Sequence, residues 1–356
     1  MKIALLSYST KPRGGVVHTL ALAEALAALG EDVTVWSLGR GGDAGFFRPV
    51  DPAVRLRIVP FPDGPPGETT GARILRSIAV LRDAFDAAPY DVVHAQDCIS
   101  ANAVGRCVRT VHHLDRFTTP ELAACHEKAI VEPYAHVCVS RPVAQELREG
   151  WGLAAEVIPN GVAYERFAGV DPVARDRWRS RFGRYVLTVG GIEPRKGSLD
   201  LLEAYARLGE NDVRLVIAGG ETLFDYRDYR ARWERRAAEL GVEPVVLGPV
   251  VDDELPALVS AASVFAFPSL KEGFGLAAME ALAAGVPLVV RDLPVLREVF
   301  GSAARFAKTP SSLADALDRA MTTRDPARRD AGRALAAGHT WDRAARLHLA
   351  FYRGLG

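Results

Sequence analysis

One pattern occurs twice in this chain: an apolar strand, a glycine turn, a helix, then another strand. Ile3 to Ser7 is a short apolar run suited to a buried parallel strand, and Gly14-Gly15 makes the turn. Val16 to Leu29 follows as an Ala/Leu-rich helix with Leu20, Ala23, Leu26 and Ala27 at helical spacing, stopped by Gly30. Val33 to Trp36 is the next strand. The pattern restarts with the strand Tyr185 to Val189, the turn Gly190-Gly191, the helix Ser198 to Leu208, and the strand Arg214 to Ala218 with Gly219-Gly220. Strand, crossover helix, strand is the repeating unit of an open parallel sheet, so two such sheets are expected.

Further strands extend both. Val92 to His94, Arg109 to Val111 and Val137 to Val139 belong to the first; Val245 to Leu247, Val264 to Phe267 and Pro287 to Val290 belong to the second. The fold class is α/β, with two Rossmann-like doubly wound domains at 1–165 and 170–335, and a last helix in 340–356. The join falls near Ile158-Pro-Asn-Gly-Val162, a turn sequence leading into the Arg-rich stretch 165–184. Length agrees, since 356 residues at roughly 150 per domain is between two and three. Each sheet should bind ligand at the carboxyl ends of its strands.

Charge excludes one class of partner. Lys+Arg and Asp+Glu are 44 each, and only six of the cations are lysines. A zero net charge argues against nucleic-acid binding by bulk phosphate neutralisation, though it leaves room for a local basic site. The four cysteines, Cys98, Cys107, Cys125 and Cys138, form no C-x-x-C pair and read as small buried hydrophobes. The apolar run Ile3 to Leu6 is too short for a signal peptide, and no run approaches the length of a membrane span, so the chain is read as cytoplasmic.

Segment 39–70 is rich in Gly and Pro and reads as a loop. Within it, Gly39-Arg-Gly41-Gly-Asp-Ala44 fits a relaxed dinucleotide fingerprint, but Gly45-Phe-Phe-Arg-Pro49 cannot supply the helix N-terminus that a pyrophosphate needs.

The densest signal is Pro268-Ser-Leu-Lys-Glu272-Gly-Phe-Gly275-Leu-Ala-Ala-Met-Glu280-Ala-Leu-Ala-Ala-Gly285-Val-Pro287. A buried strand ends at Pro268, a loop carries Glu272 and two glycines, and a helix runs from about Leu276 to Ala284. Glycines admit a ligand to the backbone, and a helix start favours an anion such as phosphate. Carboxylates beside a phosphate site suit sugar hydroxyls. Either glutamate alone would be read as a surface acid; the glycine pair between them needs another reason.

With its E-x7-E spacing, this motif resembles that of the group 1 glycosyltransferases of GT-B fold, retaining enzymes that use a nucleotide-sugar donor. Gly14-Gly15, Thr110-Val-His112, Val139-Ser140, Asn160-Gly161-Val162, Pro194-Arg195-Lys196-Gly197 and Ala218-Gly219 follow in matching order over nearly the whole chain. The resemblance implies two domains facing a cleft, a UDP-, GDP- or ADP-sugar donor held by 185–300, and an unidentified acceptor held by 1–165. It implies that Glu272 holds donor-sugar hydroxyls and Glu280 the ribose. The amides of Phe274, Gly275 and Leu276 would face the diphosphate, which Lys196 pairs, and Gly14 and Gly15 would close the phosphates from the other domain. His112 would sit near the reacting carbon, with His113 as competitor. One departure is Gly191, where many relatives carry arginine; Arg195 is the substitute. No cofactor and no metal are implied, and the last helix would cross back onto the first domain.

Other features have plainer readings. Asp252-Asp253-Glu254 precedes a helix and reads as capping rather than metal ligation. His18 reads as packing in the first helix. Asp225 to Arg236 mixes aromatics with balanced charges and reads as a solvated helix face. Arg73 to Arg82 is a basic amphipathic helix, half-buried by its pattern; a peripheral membrane contact through 73–82 is the alternative if the acceptor is a lipid. Two rival functions are a catalytically silent sugar-nucleotide-binding protein, suggested by Gly191, and a dinucleotide oxidoreductase, which lacks an intact G-x-G-x-x-G before a helix.

Overall fold

The computed structural model describes residues 1–115, 120–209, 212–219 and 226–355; Gly220 and Asp225, named above, lie outside these. The chain divides into two compact units, one of Met1–Gly161 with Trp341–Gly356, the other of Val162–Thr340.

The first unit runs β1 (Lys2–Leu6), α1 (Gly14–Ala28), β2 (Asp32–Arg40), β3 (Arg55–Phe61), α2 (Thr70–Ala84), β4 (Val92–Ala95), α3 (Cys98–Val104), β5 (Val108–Val111), α4 (Pro120–Val131), β6 (Ala135–Cys138), α5 (Arg141–Trp151) and β7 (Glu156–Val157). All pairs are parallel, in the order β3-β2-β1-β4-β5-β6-β7. Ile3 to Leu6 are wholly buried, as a strand covered on both faces must be.

The second unit runs α6 (Tyr164–Ala168), α7 (Pro172–Phe182), β8 (Arg184–Val189), α8 (Ser198–Ala206), β9 (Val213–Ala218), α9 (Arg227–Glu239), β10 (Val245–Gly248), α10 (Leu255–Ala261), β11 (Val264–Phe267), α11 (Leu276–Ala283), β12 (Leu288–Arg291), α12 (Pro294–Phe300), β13 (Arg305–Ala307), α13 (Pro310–Thr322) and α14 (Pro326–Gly338). Its parallel sheet is ordered β10-β9-β8-β11-β12-β13. The last helix, α15 (Trp341–Arg353), packs along α1 in the first unit. Among the described residues no helix is long and apolar enough to cross a membrane.

Both sheets reverse direction of growth between their first and fourth strands. At that point adjacent loops diverge and leave room for a ligand. The loops concerned are those after β1 and β4 in one unit, and those after β8 and β11 in the other. These are the loops that carry Gly14-Gly15, Gly190-Gly191 and Glu272 to Gly275.

Two expectations about this architecture need correction. Segment 39–70 is not all loop, because β2 continues to Arg40 and Arg55–Phe61 forms β3. Pro60 hid it; proline lacks the ladder donor, yet it is tolerated here because β3 is an edge strand. The first unit also ends at Gly161 rather than 165, since α6 packs on α10 and α11. The glycine run 39–44 folds as a turn and not a helix start, and its Asp43 accepts from Thr10 Oγ1 at 2.6 Å.

Candidate functional site

In the second unit the candidate residues converge on the switch point. Pro194–Lys196 forms a single 3₁₀ turn after β8, and Gly197 then caps α8 at φ +65°. A β-carbon at Gly197 would stand 2.3 Å from the Pro268 carbonyl oxygen, so only glycine lets this turn lie against the end of β11. That contact brings Arg195 and Lys196 to the Glu272 loop. Leu270 N donates to Arg195 O at 2.7 Å, and Arg195 Nη1 lies 3.2 Å from Glu272 Oε1. Lys196 Nζ donates to the same oxygen. Arg195 also pairs with Glu193 at 3.1 Å, and the Lys196 ammonium lies 5.2 Å from the Phe267 ring centroid. Two cations therefore share one carboxylate atom beside the start of α11. These side chains are largely buried, with Arg195 28%, Lys196 21% and Glu272 10% exposed, so each charge depends on the others for its compensation.

Helix α11 begins at Leu276 after Gly275, whose φ of +97° admits no side chain without strain. It has no side-chain cap and no acid in its first turn. Its leading amides present the partial positive charge that an anion would meet. Phe274 is buried, with 3% of its surface exposed. Gly191 follows β8 and lines a small depression with Gly190, Lys196, Phe267 and Ser269. There Gly219 has a reason of its own: a β-carbon would stand 2.1 Å from Gly190 O.

Glu280 sits one turn further along α11, half-buried, near Arg166 and Asp252, which pair at 2.7 Å. Burial raises its carboxyl pKa to about 8, with Arg166 opposing and Asp252 assisting. The folded state thus binds a proton that the unfolded chain releases near 4.5, so stability is lost as pH rises from about 4.5 to about 8. Glu280→Gln is expected to raise the melting temperature by several degrees at pH 8.5 and hardly at all at pH 5. An equal gain at both pH values, in paired thermal melts, would contradict a protonated Glu280.

The acidic run 252–254 does not cap α10, for no side chain there makes a capping bond. Asp252 holds Arg166 instead, and Glu254 accepts from Arg177 and from Trp178 Nε1 at 3.2 Å. Among the described residues no cluster of His, Cys, Asp or Glu could hold a metal.

In the first unit Gly14 and Gly15 open α1, and His112 follows β5. A β-carbon on Gly15 would lie 3.8 Å from His112 Nε2, in ordinary contact, and one on Gly14 would meet nothing within 4 Å. Neither glycine is at positive φ. Their backbone does not need them; they keep space clear. Gly14→Ala should therefore leave the fold intact, gaining up to about 1 kcal/mol from helix propensity, while transfer drops at least about 10-fold. Full activity in steady-state assays would remove the glycines from the site.

His112 has the better claim over His113. Burial holds its imidazole well below the usual histidine range, Arg109 adds to this, and its buried Nε2 makes no hydrogen bond among the described residues. His113 pairs with Asp115 at 3.1 Å. His18, read from sequence as packing, does pack, but against His112: the rings meet edge to face at 4.8 Å. It is anchored by Asn160 Oδ1 at 2.9 Å and flanked by Trp341 at 5.3 Å. Behind it lie His348 and His94, the latter bonded to Tyr352 OH at 2.6 Å and to Thr110 Oγ1 at 2.7 Å. The pattern of the first half alone could not place His348 or Tyr352 beside His94.

The other features sort simply. In α2, Ile74, Ile78 and Leu81 are buried, so its apolar stripe serves the unit's core. In α9, Tyr229 and Trp233 are buried and the charges pair along the outside, as Arg230 with Glu234. Cys107 and Cys138 are buried as expected; Cys98 and Cys125 are only partly so, and Cys98 Sγ lies 3.4 Å from His126 Nδ1.

Known proteins resemble this chain in sequence and in fold. The sequence profile described as "Glycosyl transferases group 1" matches residues 175–335, and "Glycosyltransferase Family 4" matches residues 12–166. An MMP alpha-(1->4)-mannosyltransferase from Mycolicibacterium hassiacum is 31% identical over 85% of this chain and 83% of its own length. The chain belongs to the group 1 glycosyltransferases. A phosphatidyl-myo-inositol mannosyltransferase from Mycobacterium leprae is 30% identical, over 84% of this chain and 80% of its own. Among solved structures, sucrose-phosphate synthase from Thermosynechococcus elongatus superposes with a TM-score of 0.80 at 20% identity, covering 99% and 98% of the two chains. HepE from Anabaena, in complex with UDP and glucose, gives 0.74 at 18% identity, covering 99% of each. Both share with this glycosyltransferase the GT-B fold, two Rossmann-like domains.

Proposed function

We propose that this glycosyltransferase takes a hexosyl group from a nucleoside-diphosphate sugar and passes it, with retention, to an acceptor hydroxyl. The observation that carries this reading is the convergence of Arg195 and Lys196 on Glu272 at the uncapped start of α11. As the anomeric C–O bond to the diphosphate breaks, negative charge grows on the departing oxygens. Arg195, Lys196 and the amides of Phe274, Gly275 and Leu276 take up that charge. Arg195 then fills the place left by the glycine at 191. Glu272 orients hydroxyls of the donor sugar, and Glu280 the ribose. The new bond forms to the acceptor oxygen, whose proton leaves with the diphosphate. His112, neutral and with an unmatched Nε2, holds a donor-sugar hydroxyl near the reacting carbon. The names of the relatives, a mannosyltransferase and a D-inositol 3-phosphate glycosyltransferase, and the UDP complex of HepE support a nucleotide-hexose donor.

The test is a thermal-shift screen against UDP-, GDP- and ADP-hexoses, followed by NMR of the product anomer. Binding of one donor, with product of the donor's own anomeric configuration, is the expected result. Because the chain supplies its own cations, excess EDTA should leave the rate unchanged. Inversion, or loss of turnover on chelation restored by a divalent metal, would overturn the corresponding part.

A further inference from the structure

A second group of cations lies in the first unit, at the carboxyl ends of β1 and β2, and the donor site does not use it. Arg13 precedes α1, Arg40 ends β2, and Arg73 lies in the first turn of α2. The Arg13 and Arg40 guanidinium carbons stand 5.4 and 5.6 Å from the centroid of the Tyr8 ring. Arg40 also lies 5.3 Å from the Phe61 ring and donates to Ser77 Oγ at 3.2 Å, while Arg13 donates to Tyr8 OH. These partners are all neutral. Among the described residues no carboxylate lies within ion-pair distance of Arg13 or Arg40, whereas Arg76, one turn away in α2, has Glu68 at both 2.7 and 2.9 Å. Asp97 and Glu68 are the acids in the neighbourhood; Asp97 is already engaged by Tyr8 N, Ser100 N and Ser100 Oγ, and Glu68 by Arg76.

Among the described residues, the Nε atoms of Arg13 and Arg40 are both buried without a hydrogen-bond acceptor. Arg73 and Arg13 crowd Arg40 with like charge as well. Guanidinium cannot escape by losing its proton, and burying charged donors without acceptors is costly. The rings that hold the two arginines fix their orientation without neutralising them. Such an arrangement suits a ligand that brings negative charge and several acceptor oxygens.

We propose that Arg13 and Arg40, assisted by the field of Arg73, form an anion pocket that grips a phosphate group carried by the acceptor. Phosphate fits better than a carboxylate, since two forks and a third cation can share its oxygens and its larger charge. The word acceptor rests on the transferase reading; the pocket itself does not.

Isothermal titration with glucose 6-phosphate and glycerol 3-phosphate, against glucose and glycerol, tests the pocket on the full chain. Wild type and Lys196→Ala should bind the phosphorylated compounds alike and ignore the others. Arg40→Gln and Arg13→Gln should each weaken binding by about 10-fold or more, with Arg40→Lys between, because the charge stays and the fork is lost. Thermal melts check folding, and both glutamine variants should melt no lower than wild type without phosphate, since a like-charge contact is relieved. Sedimentation with phosphatidylcholine vesicles containing phosphatidylinositol separates the sources. Arg40-dependent binding to vesicles assigns the phosphate to a lipid headgroup, and binding of the soluble compounds alone assigns it to a free acceptor; either upholds the pocket. Phosphate binding lost in Lys196→Ala but kept in Arg40→Gln, or absent from folded wild type, overturns it. If no nucleotide sugar binds while Arg40-dependent phosphate binding persists, the transferase reading fails and the pocket stands.

Discussion

Lys196→Ala and Glu272→Ala are each expected to lower kcat/KM for transfer by about 10²–10³-fold, yet to shift affinity for the nucleoside diphosphate in opposite directions. Both side chains meet at one point, with Lys196 Nζ and Arg195 Nη1 on Glu272 Oε1. Removing the lysine takes away a cation that the departing diphosphate needs, so the free diphosphate binds more weakly. Removing the glutamate frees both cations from a competing carboxylate, so the diphosphate binds as tightly or more tightly, while turnover falls because the donor sugar loses its anchor. Calorimetry with the nucleoside diphosphate and steady-state kinetics on the same samples measure both quantities. Lys196 and Glu272 are only 21% and 10% exposed, so each substitution leaves a largely buried charge with one partner fewer, and thermal melts of both variants check that they remain folded. If both variants weaken the diphosphate equally, Glu272 binds the nucleotide and not the sugar. His112→Ala should cost a similar factor in turnover with diphosphate affinity unchanged.

Acidification from pH 7 to about 5 should unfold the first unit while the second stays folded. Seven of the eight histidines lie in the first unit, and His339 alone lies in the second. Burial lowers His18, His94, His112 and His348 below the ordinary 6.5, His348 to about 4. Their folded pKa values are depressed, so the unfolded chain takes up protons that the folded one refuses. Stability is lost as pH falls below about 6.5, and the loss continues to each folded pKa. One such proton is worth about 1.4 kcal/mol per pH unit, so four give on the order of 5 kcal/mol per unit, comparable to the whole stability of a domain. Glu280 has the opposite sign, favouring the second unit at low pH. Hydrogen exchange read by mass spectrometry, corrected for intrinsic rates, would show loss of protection confined to residues 1–161 and α15. His348→Leu should flatten the slope and move the midpoint to lower pH. Both units opening together, or an unchanged midpoint in that variant, would contradict the histidine mechanism.

Much of the second unit's site was legible in the sequence because its parts are local. Glu272, Gly275 and Glu280 lie on one loop and helix, and Arg195, Lys196 and Gly197 on one turn. Each followed a strand that its apolar run made plain. Pairing of the turn with the loop was not legible, since it depends on β8 and β11 being neighbours, which the order β10-β9-β8-β11 settles. Strand β3 was hidden for a different reason: an edge strand needs neither a continuous apolar run nor every ladder donor, so Pro60 and Arg57 masked it. With β3 hidden, Arg40 looked like part of a loop.

Taken by itself, the sequence determined two doubly wound units and the loops that should carry ligands, because strand and helix periodicities and glycine turns act over a few residues. It also supplied the motif order that places the chain among the glycosyltransferases. Only the tertiary structure decided which charges meet. It set Arg195 and Lys196 on Glu272, left Arg13 and Arg40 with no carboxylate at ion-pair distance among the described residues, and returned α15 to the first unit. Tyr352 thereby reaches His94 across a separation of 258 residues. Contacts of that kind follow from strand order and chain return, and burial then fixes whether each titratable group keeps its charge.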